Sequence, residues 1–298
     1  MYQIINKRKY TYIISAVLIV LSVTALSVWG LRLGIDFKGG TLMEVQFSED
    51  KVPASQDIQD KLSEFELDSL IIQPSENNVV ILRYIASDDD LNSKVLGKIK
   101  EFDENVTQLR VDFIGASVSD QLKGSAVKAL IFAIFGIALY IAWAFRKVSY
   151  PVPSWQYGLG AVIALAHDII ITLGAFAFLG KFYGVEVGIP FVAALLTILG
   201  YSVNDTIVVY DRTRENILRY GRKENFEETV NKSVNETLAR SINTSLTVIV
   251  VLLAIIFFGG ETIKYFSIAL LIGVGFGTYS SIYVASALLV TSYKIRIK

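Results

Sequence analysis

The chain has 298 residues, of which 53% are hydrophobic, and its mean hydropathy is positive. Its 28 basic and 28 acidic residues balance, so the charge gives no indication of a nucleic acid or an acidic polymer as partner. The absence of cysteine excludes disulfides and thiolate metal sites, and a single histidine excludes a multi-histidine metal centre. This composition is typical of a polytopic α-helical membrane protein embedded in a lipid bilayer.

Six segments are apolar enough and long enough to cross a bilayer as helices, since about 20 residues suffice. A basic start precedes the first segment without a small-residue cleavage site, so we expect an uncleaved first helix. Short links between the third and fourth segments, and between the fifth and sixth, predict two antiparallel hairpins. The predicted spans are residues 12–31, 125–145, 157–179, 187–210, 242–258 and 263–292.

Basic residues cluster beside these spans and predict an orientation. With six spans, all the clusters fall on the same side, which the positive-inside rule assigns to the cytoplasm. Both termini are then cytoplasmic, and the long segment between the first two spans is extracytoplasmic. The clusters contain Lys7, Arg8, Lys9, Arg146, Lys147, Arg212, Arg214, Arg219, Arg222, Lys223, Lys232, Arg240, Lys294, Arg296 and Lys298.

The extracytoplasmic segment, residues 34–120, has the pattern of an α+β domain. Its elements alternate as strand, helix, strand, strand, helix, strand, which is the order of the ferredoxin-like fold. The segment holds more than half of the acidic residues, either as an ordinary solvated face or as a surface that attracts basic polypeptides. The predicted elements are residues 41–47, 53–65, 69–73, 78–84, 88–102 and 107–113, with acidic residues from Asp88 at the start of the second helix.

The predicted organisation is therefore an N-terminus with the first helix (1–33), the extracytoplasmic domain (34–120) and the remaining five helices (121–298). A cytoplasmic stretch at 211–240 mixes both charge signs and places apolar residues at helical spacing. This pattern predicts an amphipathic helix that lies on the inner membrane surface or packs under the bundle. Its apolar positions are Phe226, Val230, Val234 and Leu238.

Asp205 lies within the fourth span and is the most informative residue of the chain. A charged aspartate at the centre of a membrane helix costs about 2.5–3.5 kcal/mol on insertion scales, so it indicates a functional residue facing the bundle interior. Thr197, Tyr201 and Asn204 share its polar stripe at helical spacing. The stripe is a candidate site for binding protons or ions.

Arg240 stands at the cytoplasmic entry of the fifth span, and Asn243, Thr244 and Thr247 extend a second polar stripe from it. One interpretation pairs Arg240 with Asp205 across a wet interior, where burial and the guanidinium act in opposite directions on the proton affinity of the carboxylate. The alternative is an arginine that extends to the lipid headgroups as a topological anchor.

His167 and Asp168 lie near the middle of the third span. The burial argument for Asp205 applies equally to Asp168, although a structural hydrogen bond to Thr172, one turn on, or to a neighbouring helix is the alternative. His167 is more simply explained as a neutral core residue than as a proton carrier.

Two glycine patterns concern packing and turns. Gly273, Gly277 and Ser281 recur every four residues in the sixth span, the spacing that lets helix backbones approach closely. After the first span, Gly34, Asp36, Gly39 and Gly40 form a motif whose paired glycines allow a tight turn.

No nucleotide-binding fingerprint or Ser-His-Asp arrangement is readable in the chain. We therefore expect a non-enzyme without a cofactor or metal, driven by an ion gradient or by a partner.

Several motifs together resemble the SecF proteins of the SecD/SecF protein-export family, in the resistance-nodulation-division superfamily. The resemblance runs from the first span to the last. Its most specific part is the long motif of residues 200–216, which runs from the fourth span into the cytoplasmic stretch. The matching motifs are residues 34–41, 166–168, 200–216, 240–245 and 277–281.

The resemblance implies a subunit of bacterial protein export that pairs with SecD beside the SecYEG channel and associates with YajC and YidC. It implies use of the proton-motive force to pull a translocating preprotein outward, in the bacterial plasma (inner) membrane. By motif, Asp205 matches the membrane carboxylate that takes part in proton movement, and Arg240 matches the arginine paired with this region. His167 and Asp168 match a family signature and are second-rank members of the proton relay. A proton-driven exporter of small hydrophobic compounds or lipids, and a scaffold that only stabilises SecD, are the competing functions.

Overall fold

The computed structural model describes residues 2–49, 51–75, 77–85, 89–146, 151–220 and 225–296. The chain divides into two compact units, a helical unit (Met1–Arg32 with Lys128–Lys298) and a sheet unit (Leu33–Val127). Five residues named above, Asp88, Lys147, Arg222, Lys223 and Lys298, lie outside the described ranges.

The helices and strands follow one another in the predicted order. The elements are α1 (Arg8–Trp29), α2 (Ile35–Lys38), β1 (Gly40–Gln46), α3 (Ser55–Leu62), β2 (Asp68–Pro74), β3 (Val79–Ile85), α4 (Asp89–Lys100), β4 (Thr107–Ile114), α5 (Ala116–Ala144), α6 (Ser154–Tyr183), α7 (Ile189–Tyr220), α8 (Phe226–Phe258), α9 (Glu261–Ser280) and α10 (Ser286–Arg296). A π-helical turn, Ser281–Ala285, joins α9 to α10.

In the described part of the chain, six helical segments are long and apolar enough to cross a membrane, which confirms the predicted polytopic fold. They are α1, α5, α6, α7, α8 and the continuous segment formed by α9 and α10. Most extend beyond the predicted apolar windows, because helical hydrogen bonding continues past the point where the hydropathy falls. Gly184 ends α6 in a left-handed conformation, with φ +70°, and begins the short link to α7.

The prediction of a separate amphipathic helix at 211–240 is wrong. Helix α7 continues to Tyr220 and α8 begins at Phe226, so this stretch forms the adjoining ends of two long helices. Phe226, Val230 and Val234 are buried in the core of the bundle. The apolar spacing therefore marks the buried face of a helix that packs with the bundle, one of the two predicted alternatives, but this helix is the long α8 and not a separate element.

One end of the helical unit is joined by ion pairs among three helices. Arg8 at the start of α1 and Lys294 in α10 both bind the carboxylate of Glu227, in the first turn of α8. The start of α1, the start of α8 and the end of α10 therefore meet at the same end of the bundle, as the grouping of the basic clusters predicts.

The sheet unit has the predicted α+β ferredoxin-like architecture. Its four strands are antiparallel in the order β2-β3-β1-β4, with β1 in the centre between β3 and β4. Alternate side chains of β1 and β3 enter a core against α3 and α4, as the two-residue period of a strand requires. That core contains Met43, Val45, Phe47, Ile58, Leu62, Val80, Leu82, Tyr84, Val95 and Ile99.

Asp103, which follows α4, binds the backbone just after β1. Its side chain is buried and accepts hydrogen bonds from the backbone N–H of Ser48 at 2.8 Å and of Asn105 at 3.1 Å. Lys51 Nζ lies 3.3 Å from the same carboxylate. These donors, the Ser48 N–H foremost, hold the pKa of Asp103 well below its usual range.

This lowered pKa makes the stability of the sheet unit depend on pH. Because the folded-state pKa lies below the unfolded value of about 3.9, the contribution of Asp103 is complete above that value and is lost as the pH falls toward the folded pKa. We expect Asp103→Asn to weaken protection of the sheet amides at neutral pH, with the difference from the parent protein shrinking in acid. Hydrogen–deuterium exchange on the full chain, corrected for intrinsic rates, measures this.

Glu104→Gln is the matched control, because it removes the neighbouring exposed carboxylate. Equal loss of protection in both variants would contradict this role of Asp103.

Candidate functional site: two buried carboxylates in the helix bundle

Asp205 lies on α7 with only 6% of its surface exposed. Ser241 Oγ of α8 donates to its Oδ1 at 2.5 Å, and Ser281 Oγ at the π-helical turn donates to its Oδ2. The carboxylate is thus held by neutral hydroxyl donors from two other helices. A buried carboxylate needs such donors, because an unpaired charge in an apolar interior is strongly unfavourable.

Asp168 on α6 is the second buried carboxylate, with no exposed surface. Its Oδ2 accepts from Ser202 Oγ of α7 at 2.6 Å and from Ser280 Oγ of α9 at 2.7 Å. Its Oδ1 lies 2.9 Å from His167 Nδ1. Of the structural alternatives, a hydrogen bond to a neighbouring helix is confirmed by Ser202 and Ser280, whereas the Thr172 hydroxyl donates to the backbone oxygen of Asp168 and not to its side chain.

The two carboxylates are connected through neighbouring residues on two helices. On the α9 side, Ser280 binds Asp168 and the next residue, Ser281, binds Asp205. On α7, Ser202 binds Asp168 from one turn before Asp205. The π-helical turn begins at Ser281, directly after Ser280, and such turns occur frequently at functional sites.

His167 is buried, with 2% of its surface exposed, and its ring lies 6.0 Å from that of Tyr279 on α9. While Nδ1 contacts Asp168, Nε2 has no hydrogen-bond partner among the described residues. The structure therefore places His167 beside the carboxylate and separates it from solvent.

Arg240 is not brought to Asp205. It is exposed on α8, and the described contacts of the Asp205 carboxylate are with Ser241 and Ser281, without an ion pair to Arg240. Its neighbour Ser241 occupies the buried face and contacts the carboxylate. Successive residues of a helix are about 100° apart, so only one of these two can face Asp205.

The predicted polar stripes also divide between buried and exposed faces. On α7, Thr197 and Asn204 are exposed, while Tyr201 is half-buried and donates to Ser245 Oγ at 3.1 Å. On α8, the predicted members Asn243, Thr244 and Thr247 are all exposed.

In the part of α8 that follows Arg240, the buried polar residues are instead Ser241 and Ser245. Sequence reasoning passed over these serines, and likewise Ser202 and Ser280. The available signal was the four-residue spacing of Ser241 and Ser245 within the segment that begins at Arg240. This spacing indicates a polar stripe that begins at Ser241, one residue after the start of the predicted stripe at Arg240.

Close helix packing keeps the donors near the carboxylates. A Cβ on Gly273 would lie 2.2 Å from Ile198 Cδ1, and a Cβ on Gly277 would lie 3.0 Å from Ser202 Cβ. These glycines bring α9 against α7 at the level of the site. The small-residue spacing therefore coincides with the close approach that places Ser280 and Ser281.

The glycine motif of the sheet unit lies at the entrance to its central strand. Gly34 precedes α2, which contains Asp36, and Gly39 ends that helix with φ +77°. Gly40 begins β1 with φ +134°, and a Cβ there would lie 2.6 Å from the carbonyl oxygen of Tyr84 on β3. Only glycine satisfies both the backbone angle and the strand pairing.

The described side chains contain no group of three or more His, Asp or Glu residues suited to a metal ion. A carboxylate held only by hydroxyl donors can be neutralised by a proton without losing a bound cation. Neutral hydroxyl donors of this kind are compatible with either protonation state of the Asp205 carboxyl group.

Family comparison identifies the chain. The profile described as "Protein export membrane protein SecD/SecF, C-terminal" matches residues 94–294, and the "SecD/SecF GG Motif" matches residues 25–51. The chain belongs to the SecD/SecF family as a SecF subunit. The second match includes Gly34, Gly39 and Gly40, whose geometry is described above.

Similar SecF subunits share nearly the whole length. The protein translocase subunit SecF of Thermobaculum terrenum is 42% identical over 98% of this chain and 94% of its own. That of Haemophilus influenzae is 38% identical over 94% of this chain and 83% of its own.

The crystal structure of SecDF, a translocon-associated membrane protein from Thermus thermophilus, superposes with a TM-score of 0.84 at 32% identity. A structure of SecDF in the super-membrane-facing form gives 0.71 at 31% identity. The match covers 99% of this chain but spans only 39% of the SecDF chain in each case. This chain therefore corresponds to part of the longer SecDF chain.

The close approach of α9 to α7 can be tested by substitution. We expect Gly273→Ala to destabilise the bundle by about 1–3 kcal/mol through overpacking against Ile198, and Ile198→Ala to restore part of the loss when combined with it. Thermal unfolding in detergent measures both.

Gly275→Ala is the control, since Gly275 is exposed on the same helix and a Cβ there meets nothing within 4 Å. If Gly273→Ala were no more destabilising than Gly275→Ala, the packing described here would be incorrect.

Proposed function

We propose that this SecF subunit, assembled with SecD, uses the proton-motive force to drive late steps of preprotein export. The observation that carries the proposal is the carboxylate of Asp205, buried in a membrane helix and bound by the hydroxyls of Ser241 and Ser281. An inert bundle has no need of such a group, since intramembrane carboxylates are unfavourable and mark ion and proton pathways.

Asp205 is the proton-binding group of the proposal. As an anion it accepts from both serines, and as a neutral acid its own proton becomes a donor. Protonation thus changes which atoms donate at the contact between α7, α8 and the π-helical turn. This change of hydrogen bonding connects proton binding to helix packing.

Arg240 faces SecD in this proposal. The exposed residues Asn204, Arg240 and Asn243 have no side-chain partner within the described part of the chain. The nearby threonines differ, because Thr197 and Thr244 donate to backbone oxygens of their own helices. Lipid cannot satisfy an amide or a guanidinium at membrane depth, so a protein surface that offers acceptors is the better neighbour.

The proposed setting is the bacterial plasma membrane, beside the SecYEG channel and together with YajC and YidC. The ion-paired end with Arg8 and Lys294 lies in the cytoplasm, as the positive-inside rule favours. The sheet unit is then extracytoplasmic, on the side where the translocating preprotein emerges.

No catalytic step belongs to the proposal. The energy source is the proton gradient, and the chain acts as a non-enzymatic transport subunit without a cofactor.

Replacing the carboxylate tests this function. We expect Asp205→Asn to abolish the part of preprotein export that depends on the proton gradient, because the amide cannot take up or release a proton. Preprotein export into membrane vesicles that contain SecYEG and SecD with the variant, measured with and without a protonophore, reads this out.

Asp211→Asn is the matched control, an exposed carboxylate on the same helix that contacts Arg214. Undiminished proton-dependent export by a normally assembled Asp205→Asn complex would leave a scaffold for SecD as the function. Proton-driven efflux of small hydrophobic compounds without an effect on export would favour the exporter.

The role of Arg240 is tested with one variant that removes its charge and one that keeps it. If it meets acceptors of SecD, Arg240→Met lowers export at least several-fold and weakens recovery of SecD with the subunit, while Arg240→Lys retains part of both. Co-purification and the same vesicle assay measure the two effects. Full function of Arg240→Met would indicate an arginine that only anchors at the headgroups.

A further inference from the structure

Each hydroxyl of the serine pair Ser280–Ser281 has two acceptors within reach. Ser280 Oγ lies 2.7 Å from Asp168 Oδ2 and 3.1 Å from the backbone oxygen of Gly277. Ser281 Oγ contacts Asp205 Oδ2 and lies 3.1 Å from the backbone oxygen of Thr278. A serine has a single hydroxyl proton, so each serine donates either to its carboxylate or to its own helix.

The protonation state of a carboxylate decides between these acceptors. An ionised carboxylate accepts the stronger, charge-assisted bond, whereas a protonated one offers a weaker acceptor and a proton of its own. Protonation of Asp205 therefore favours rotation of the Ser281 hydroxyl toward Thr278. The same argument holds for Asp168, Ser280 and Gly277.

The two switches share one stretch of backbone. Ser280 and Ser281 are consecutive and both buried, and the π-helical turn begins at the second of them. A rearrangement of either serine is transmitted to the other through their common peptide bond. The second connection runs along α7, where Ser202 holds Asp168 one turn before Asp205.

We propose that Ser280 and Ser281 are positioning residues that couple the protonation of Asp168 and Asp205, so that the two carboxylates titrate as one unit. The coupling makes Asp168 part of the proton site and gives the π-helical turn its role. This inference rests on the proposed function only in taking protons as the ion that binds.

Several titratable groups lie near the pair and the π-helical turn, including Tyr210 of α7, which donates to the backbone oxygen of Ala285, and Tyr283, which packs on Tyr279. His167 on α6 contacts Asp168, Tyr279 on α9 stacks on His167, and Tyr201 on α7 is bonded to Ser245. On α8, Arg240 is adjacent to Ser241 but exposed. Among the described residues the serines are thus the groups that contact both an acidic side chain and the π-helical segment.

The test follows each carboxyl group by infrared spectroscopy during a pH titration of the complex with SecD in nanodiscs. The band of each group is assigned by its loss in Asp205→Asn or Asp168→Asn. We expect Ser280→Ala, which removes a donor from Asp168 alone, to move the titration midpoint of Asp205 as well. We expect Ser281→Ala to move the midpoint of Asp168, each by about one pH unit, the size that marks interacting sites.

Ser286→Ala is the control, since Ser286 is equally buried in the same segment but donates only to the backbone oxygen of Ile282. It is expected to leave both midpoints in place. Ser280→Cys keeps the size of the side chain with a much weaker donor and replaces Ser280→Ala if that variant does not assemble.

If each serine variant shifts only the carboxyl group that it contacts, the coupling is disproved. The outcome is independent of export. If both midpoints shift but Asp205→Asn leaves export unaffected, the coupling is supported and the proposed function is refuted. If the two carboxyl groups titrate separately but export depends on protons through Asp205, the proposed function is supported and the coupling is refuted.

Discussion

The bundle depends on satisfying two carboxylates in an interior that offers almost no charge. A buried ion without donors is strongly unfavourable, so Asp168 and Asp205 require hydrogen bonds from their surroundings. The donors come from three neighbouring helical segments, α7, α8 and the junction of α9 and α10. The close contact of α9 with α7, made by Gly273 and Gly277, brings Ser280 and Ser281 within reach of the carboxylates.

The donors are hydroxyls and an imidazole, with no guanidinium or ammonium group among the described contacts of either carboxylate. A salt bridge would hold the carboxylates ionised, because an adjacent cation favours the charged form. Hydroxyl donors stabilise the anion and still allow the neutral acid. The site is therefore suited to changing its protonation state, and this suitability connects the packing of the bundle to the proposed use of a proton gradient.

The sequence predicted the parts of this structure that are encoded locally. Hydropathy located the spans, and the strand and helix pattern of residues 34–120 gave a correct sheet unit, because both are properties of short segments. The donors were missed because a serine in an apolar helix ordinarily bonds its own backbone, and only tertiary contacts show that Ser241 and Ser281 meet Asp205. The predicted pairing of Arg240 with Asp205 is not among the described contacts, for a similar reason. The position of a residue in the sequence does not determine which face of α8 is buried.

The central claim is that protonation of Asp205 rearranges its serine contacts. The most direct measurement is a pair of high-resolution structures of the complex with SecD, in acid and in alkaline solution, that resolve the Ser241 and Ser281 hydroxyls. We predict both contacts to Asp205 in alkaline solution and rotation of the Ser281 hydroxyl toward the Thr278 oxygen in acid. Identical serine contacts in both structures, with Asp205 shown to have changed its protonation state, would contradict the account.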